Sequence, residues 1–302
     1  MRRFDLVSLK LFISVADEGR LTAAARREHL ALAAVSKRIS DLETLVGTTL
    51  LYRRPRGVEL TPAGQAFLHH ARRIMDDIER MQAELSEYGD GVRGHVRLHS
   101  NTSAIIAFLP QDLSAFARAF PQIKLDLQER VSSEVIAALR DGLTDVGIFA
   151  RHVAAPDLEV MAYRRDRLVL VVPREHPLAE RRNLAFLETT RHDFIGLQQD
   201  ASLQTLLHEQ ASRAGQTLRM RIQVRSFDAI CRMIHHGMGI GILPESTLDG
   251  RDLDALQLIR IPLSDPWARR ELVVGMRRYA TLPVTARHLV DHLTGTDRLD
   301  LS

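Results

Sequence analysis

Over the first sixty residues apolar side chains return every three or four positions, the period of helices buried on one face. Leu6, Leu9, Phe12, Ile13 and Ala16 predict a first amphipathic helix that Gly19 ends. Thr22 is placed to cap a short second helix, AAARREHL, whose alanines allow close packing. A third helix follows almost at once, with Val35, Ile39, Leu42 and Val46 on its inner face. At about 100° per residue, Ala33, Lys37, Ser40 and Thr44 centre on its outer face, with Ser36 on the flank. Next, TLLYRR, a turn at PRG and VELT read as two short strands with a basic tip.

From Thr61 the helical period resumes and runs for about seven turns. Phe67, Ala71, Ile74, Ile78, Met81 and Leu85 form one apolar stripe, and Gly89 and Gly91 end it. A single long helix carrying such a stripe between domains usually pairs with a copy of itself. Beyond Arg93 the pattern changes to alternating strand and helix. HVRLHS and IKLDLQER read as strands around a helix near Leu109 to Phe120, then SEVIAALRDG as a helix, DVGIF as a buried strand and LVLVVP as another. A second set holds DFIGL, a helix near Leu203 to Arg213, MRIQVRS, the helix FDAICRMIHHG and IGILP, and ELVVGMRR with TARHLVDHL closes the chain. This alternation predicts parallel α/β sheets in two lobes, crossed twice by the chain, with hinges near Val172-Pro173 and Pro266-Trp267.

Two helices joined by a tight turn, the second with a small and polar outer face, make a helix-turn-helix, and the basic hairpin makes a wing. Small residues let the third helix approach a surface closely, while Ser36 and Lys37 supply a hydroxyl and a cation. The wing arginines Arg53, Arg54 and Arg56 are placed to reach phosphates or a minor groove. Charge sharpens this picture. Residues 1–60 hold eleven Lys/Arg against seven Asp/Glu, and the remaining residues thirty against thirty-one. The excess belongs to the basic module, as expected where one end of a protein meets a polyanion. The single cysteine, Cys231, excludes an internal disulfide. With no long apolar run and no cleavable leader pattern, the chain is expected to be cytosolic and not to enter a membrane.

The order LTAAARREHLALAAVSKRISDLETLVGTTLLYRRPRGVELTPAGQAFL resembles the amino-terminal domain of LysR-type transcriptional regulators. The markers are Ala23-Ala24-Ala25, Ser36 with its basic neighbour, Ile39, Leu42-Glu43, Gly47, Leu50-Leu51 and Leu60-Thr61-Pro62-Ala63-Gly64. The two-lobed region is similar to the periplasmic-binding-protein-like effector domain of the same family. The resemblance implies a winged helix-turn-helix over residues 1–60, a linker and dimerisation helix over 61–89 and an effector-binding domain over 90–302. Lobe I is then residues 90–172 and 269–302, and lobe II residues 173–268. It further implies a bacterial regulator of transcription, double-stranded DNA as partner, a homodimer or dimer of dimers, contact with RNA polymerase, and no cofactor. DNA contacts are expected from Thr22, Leu32, Ala33, Ser36, Lys37, Ser40, Arg53, Arg54 and Arg56. Dimer contacts are expected from Phe67, Ile74, Ile78, Met81 and Leu85. The family usually opens its third helix with Ser-Gln-Pro, whereas this chain has Ala31-Leu32-Ala33. Leu32 cannot make the glutamine's hydrogen bond, although it can touch a thymine methyl.

In open α/β lobes, ligands sit beyond the carboxyl ends of strands at helix amino termini. Four such junctions carry small polar residues: Ser100-Asn101-Thr102-Ser103, Ser132-Ser133, Asp200-Ala201-Ser202 and Ser226-Phe227-Asp228. Free N–H groups and hydroxyls there suit an anion, and no acidic cluster is expected beside them. Ser100, Asn101, Thr102, Ser103, Ser132, Arg151, Ser202, Phe227 and Asp228 are therefore the candidate contacts for a small anionic effector. Enzymatic readings are weaker. GMGIGILP follows a helix and precedes a strand, the reverse of a dinucleotide fingerprint. Cys231 and His235 share a spacing that suits a nucleophile and base, but Cys231 falls on the apolar side of its helix. His288 and His292 share a face without a third ligand, so no metal site is expected. A solute-binding protein of a transport system would need a signal peptide and no basic module. An enzyme of the doubly wound class would show turnover by the carboxy-terminal region without DNA binding.

Overall fold

The computed structural model describes residues 4–54, 57–87 and 94–295, and within the helix at 62–87 the side chains at 76, 79, 80 and 82–87 lie outside that description. The candidates Arg56 and, for its side chain, Leu85 are thus outside the described residues. The chain divides into two compact units near Gly91.

In the first unit, α1 (Leu6–Glu18) starts at Asp5, whose carboxylate accepts from the Ser8 N–H at 2.8 Å, and stops at Gly19 in the left-handed region. The turn leads into α2 (Leu21–Arg27), which begins after Arg20 without a side-chain cap. Thr22 is therefore not the cap expected of it: it lies exposed within the first turn. α3 (Leu32–Val46) follows Ala31 and ends at Gly47. Phe12, Ala24, Val35, Ile39 and Leu50, all at most 1% exposed, bring the three helices and the wing onto one core. Alanine at 24 and 25 is what lets α2 pack this closely, while Leu6 stays 46% exposed.

The wing pairs β1 (Leu51–Arg54) antiparallel with β2 (Gly57–Leu60), Arg53 opposite Val58. Its entry is fixed by the Glu43 carboxylate, which accepts from the Leu50 and Leu51 N–H groups at 2.8 and 3.1 Å. Its return is fixed by the Val58 N–H donating to the Gly19 carbonyl at 2.8 Å. Gly57 has φ 151°, and a Cβ there would lie 2.4 Å from the Gly19 oxygen, so only glycine allows the wing to sit on the α1–α2 turn. Thr61 caps the next helix, α4 (Pro62–Glu87), by accepting from the Gly64 N–H at 2.9 Å. The early turns of α4 belong to this unit's own core. Phe67 meets the Phe12 ring edge-on at 5.0 Å, Ala71 is buried and Arg72 pairs with Asp17. Phe67 therefore completes its own unit and does not continue the exposed stripe. Further along, Ile74 and Met81 are 43% and 52% exposed and Ile78 is half-buried.

The second unit contains β3 (Gly94–Ser100), α5 (Thr102–Ala107), α6 (Leu109–Ala119), β4 (Ile123–Glu129), α7 (Ser132–Asp141), β5 (Val146–Ala150) and β6 (Glu159–Pro173). After β6 come β7 (Asp193–Leu197), α8 (Ser202–Arg213), β8 (Arg219–Val224), α9 (Phe227–His235), β9 (Gly241–Pro244), β10 (Leu258–Pro262), β11 (Arg269–Met276) and α10 (Val284–Thr294). β3 is parallel to β4 and β5, and β7 to β8, as the alternation predicts. β6, β9, β10 and β11 are antiparallel additions, so the sheets are mixed. β6 runs on into lobe II, and β11 returns to lobe I, without the helical crossover that parallel neighbours need.

β6 serves both lobes. Its residues 159–167 pair with β11, and residues 168–173 pair with β9 and β10. The first crossing is thus at Arg167/Leu168 and not at Val172-Pro173. Residues 168–172 are fully buried in lobe II because all five are apolar and lie between two strands. The second crossing does fall at the turn Pro266–Ala268, where Trp267 packs edge-on against Phe186 of lobe II at 5.2 Å.

Candidate functional site

Lys37, Leu32 and Ala33 are exposed on the outer face of α3, with Ser36 and Ser40 half-buried beside them. Ser40 accepts from the Arg53 guanidinium at 3.1 Å and so joins α3 to the wing. Arg54 pairs with Glu59 at 3.2 Å and lies 5.6 Å from the centre of the Tyr52 ring. Arg20, Thr22, Leu32, Arg53 and Arg54 line one concavity of about 490 Å³ between α2, α3 and the wing. Arg20 was not singled out by the sequence; its only mark is its place just after the Gly19 turn. Arg38, beside Lys37 in the chain, faces the other way and reaches Asp5 at 3.4 Å. The Ser8 hydroxyl bond first, and Arg38 further down, hold the Asp5 carboxyl below its usual range. The side chains of Arg20 and Lys37 make no hydrogen bond or ion pair among the described residues, and an outward cation without a counter-ion suits a polyanion.

In the second unit, the loops at 131–133 and 200–202 meet across the lobes. Ser132 donates to the Ser202 hydroxyl at 3.2 Å, and itself accepts from the Ala150 N–H at 3.3 Å and the Asn101 amide at 3.4 Å. On one side of this contact lies a chamber of about 780 Å³. Its cationic lining is Arg151, Arg213, Arg269 and Arg270, with His152 and Ser202 beside them. Its carboxylates are Asp200, Glu209 and Glu271, and Glu271 holds Arg151 at 3.2 Å. The His152 ring approaches the Ser202 carbonyl at 3.2 Å. Solvent still reaches it, but crowding within the cleft first, and Arg270 after the opposing Ser202 carbonyl, hold its imidazole below the usual range. On the other side is a smaller chamber of about 440 Å³, with Thr102, Glu129, Glu134, Arg130, Gln198 and Arg225.

Several sequence candidates lie elsewhere. Ser100 is fully buried and donates to the Asn101 carbonyl, and Ser103 is 6% exposed, so both serve the interior of lobe I. Asn101 caps α5 through Ala104. Thr102 lines the smaller chamber, but its hydroxyl donates to Glu129 at 2.6 Å. The absence of acid beside these hydroxyls is therefore corrected: Glu129 and Glu134 stand there. Phe227 is fully buried in the lobe II core. Asp228 is paired with Arg232 and Arg251 at 2.8 and 2.7 Å, outside either chamber. Missed by the sequence were Arg269 and Arg270, which nothing but their place before ELVVGM marks.

The arrangements that imitate catalysis have structural partners. Cys231 is fully buried, which pushes its thiol up, while His235 faces the Leu256 carbonyl at 2.6 Å. His288 stacks on Phe120, and His292 turns to the Asp112 carbonyl at 3.1 Å. Among the described residues no three His, Cys, Asp or Glu side chains gather to hold a metal ion. No described helix is long and apolar enough to cross a membrane. Gly239 and Gly241 sit against Asp193 and Ile195 of β7 and the side chains of α9, where they allow close packing.

A winged helix-turn-helix joined to a two-lobed α/β domain defines a ligand-responsive DNA-binding class. Residues 6–65 match the bacterial regulatory helix-turn-helix protein model of the lysR family, and residues 89–298 match the LysR substrate binding domain. The chain belongs to the LysR family of DNA-binding transcriptional regulators, and its relatives are regulators, not enzymes. It is 30% identical to YnfL, an HTH-type transcriptional regulator of Escherichia coli, over 96% of this chain and 97% of the relative. It is 27% identical to GltC, a transcriptional dual regulator of Bacillus subtilis, over 88% of each chain. In fold it is similar to CbnR, a LysR family regulator solved at full length with its target DNA. That likeness has a TM-score of 0.75 at 23% identity, over 97% of this chain and 100% of the other.

Proposed function

We propose that this protein is a sequence-specific regulator, working in the cytoplasm as a homodimer, whose activity is set by a small anionic metabolite in the larger interlobe chamber. The observation that carries the ligand reading is Arg270. Its guanidinium is 3% exposed, lines that chamber and has no hydrogen-bond partner for Nε. A buried donor left unpaired is costly, and a carboxylate or phosphate oxygen would satisfy it. Arg269 and Arg151 stand at the same wall, and Ser202 supplies a hydroxyl and a carbonyl from lobe II. A ligand touching both lobes favours one lobe arrangement only through unequal affinity for the two.

Calorimetry with a panel of small organic acids and inorganic phosphate tests this on the wild type, Arg151→Gln and Ser202→Ala. Loss of one hydrogen bond to a charged group costs on the order of 1.5–3 kcal/mol, or roughly ten- to a hundredfold in affinity. An effector that is cationic or wholly apolar, or that is unaffected by both substitutions, overturns the assignment. For DNA, the reading rests on the outer face of α3 and on Arg53 beside it. For the dimer, it rests on Ile74, Ile78 and Met81, apolar side chains on one stripe that their own unit leaves partly or largely uncovered.

A further inference from the structure

We propose that Leu32 reads a 5-methyl group in the major groove, so that the preferred DNA carries thymine opposite the first turn of α3. This rests on the DNA-binding role of that helix. Leu32 is the first residue of α3 and is 47% exposed. Ala31, Ala33 and Ala34 around it are exposed as well, so the first turn offers no side-chain donor or acceptor to a base. Residues at the amino-terminal end of a recognition helix are the ones that reach base edges.

The surroundings fix what Leu32 can meet. It lines the same concavity as Thr22 and as Arg20, Arg53 and Arg54, whose charges draw phosphates to the rim. A leucine amid these arginines is covered only when the DNA seats. Of the groups displayed in the major groove, the C5 methyl of thymine is the apolar one; the others are hydrogen-bond donors and acceptors. Pressing Leu32 on those would desolvate them without a partner. The methyl is the matching group, and 5-methylcytosine presents the same one.

The test uses the full chain and duplexes that it enriches from a random library. Each thymine is replaced singly by deoxyuracil, which lacks only the methyl. One position per half-site is expected to lose about fourfold in affinity, the worth of one buried methyl. Cytosine there should bind less well than 5-methylcytosine. In Leu32→Ala, which is outside the core and leaves the fold intact, the thymine-to-deoxyuracil ratio should fall to about one. Arg53→Ala should instead weaken both duplexes alike. Indifference of the wild type to deoxyuracil at every position overturns the proposal, as does a methyl effect undiminished in Leu32→Ala. A chain that enriches no sequence overturns the DNA-reading role itself as well.

Discussion

Asp166→Ala should destabilise the effector domain more than any surface change of similar size. Asp166 and Arg270 are each 3% exposed and lie 3.1 Å apart where β6 passes from one lobe to the other. The carboxylate accepts from Arg270, from the Ser246 hydroxyl at 2.7 Å and N–H at 3.3 Å, and from the Arg167 N–H at 2.8 Å. Four donors converge on it, one of them a full charge. Burial holds the Arg270 guanidinium below its usual range, and Asp166 is the group that opposes this. Removing the carboxylate leaves a buried cation with no counter-charge, a loss of about 3–5 kcal/mol. At about 2–4 °C per kcal/mol for a domain of this size, the melting temperature should fall by roughly 6–20 °C. Replacing both partners by apolar residues, Asp166→Leu with Arg270→Met, should restore most of it, since such exchanges are often neutral or better. Chemical denaturation of the wild type, Asp166→Leu, Arg270→Met and the double variant measures the coupling. A loss under about 1 kcal/mol in Asp166→Ala, or simple additivity in the double variant, would refute the reasoning.

Arg53→Ala should weaken binding to every DNA sequence and lower the salt slope by roughly 1, read in titrations at several salt concentrations. Ile78→Asp should bury an unpaired carboxylate against a second copy; sedimentation should then show smaller assemblies, and a fully dimeric variant would move the interface elsewhere. His99, 7% exposed and with an unpartnered Nδ1, is held below its ordinary value of 6.5, first by burial and then by Arg130. The folded chain therefore keeps His99 neutral while the unfolded chain takes up a proton, so stability is unaffected well above pH 6.5 and falls as the pH drops below it. His99→Gln should flatten that part of the melting-temperature profile; an unchanged acid slope would place the cause in other groups.

The sequence revealed most where a period or a spacing had one physical meaning. The three helices of the first unit, the wing and α4 were legible because each turns a single apolar face to one core. DFIGL and FDAICRMIHHG likewise marked β7 and α9. What escaped was structure made by distant partners. EVMAYRRDR does not read as a strand because it is polar, yet β11 gives it a ladder and extends β6 back to Glu159. The cleft was half legible. Hydroxyls at 132 and 202 were visible at helix starts, but nothing local reveals that Ser132 and Ser202 meet across 70 residues. Phe227 and Asp228 misled because a residue at a helix start can as well face a core or an arginine. Arg270 lay unnoticed in a run of basic residues because its burial depends on Asp166, which is 104 positions away.

β6 belongs to two hydrophobic cores at once, as the central strand of the lobe II sheet between β9 and β10 and as the edge partner of β11 in lobe I. Neither lobe can melt by itself, because fraying β6 in one strips a ladder that continues into the other. Calorimetry should therefore see one cooperative unit where the two cores suggest two. Damage to either core will be shared, so a destabilised lobe I and a destabilised lobe II should give the same single, lowered transition. For a ligand seated between the lobes this has a further effect. It protects the whole domain, and the shift of one melting curve reports its affinity without any knowledge of which lobe it touches first.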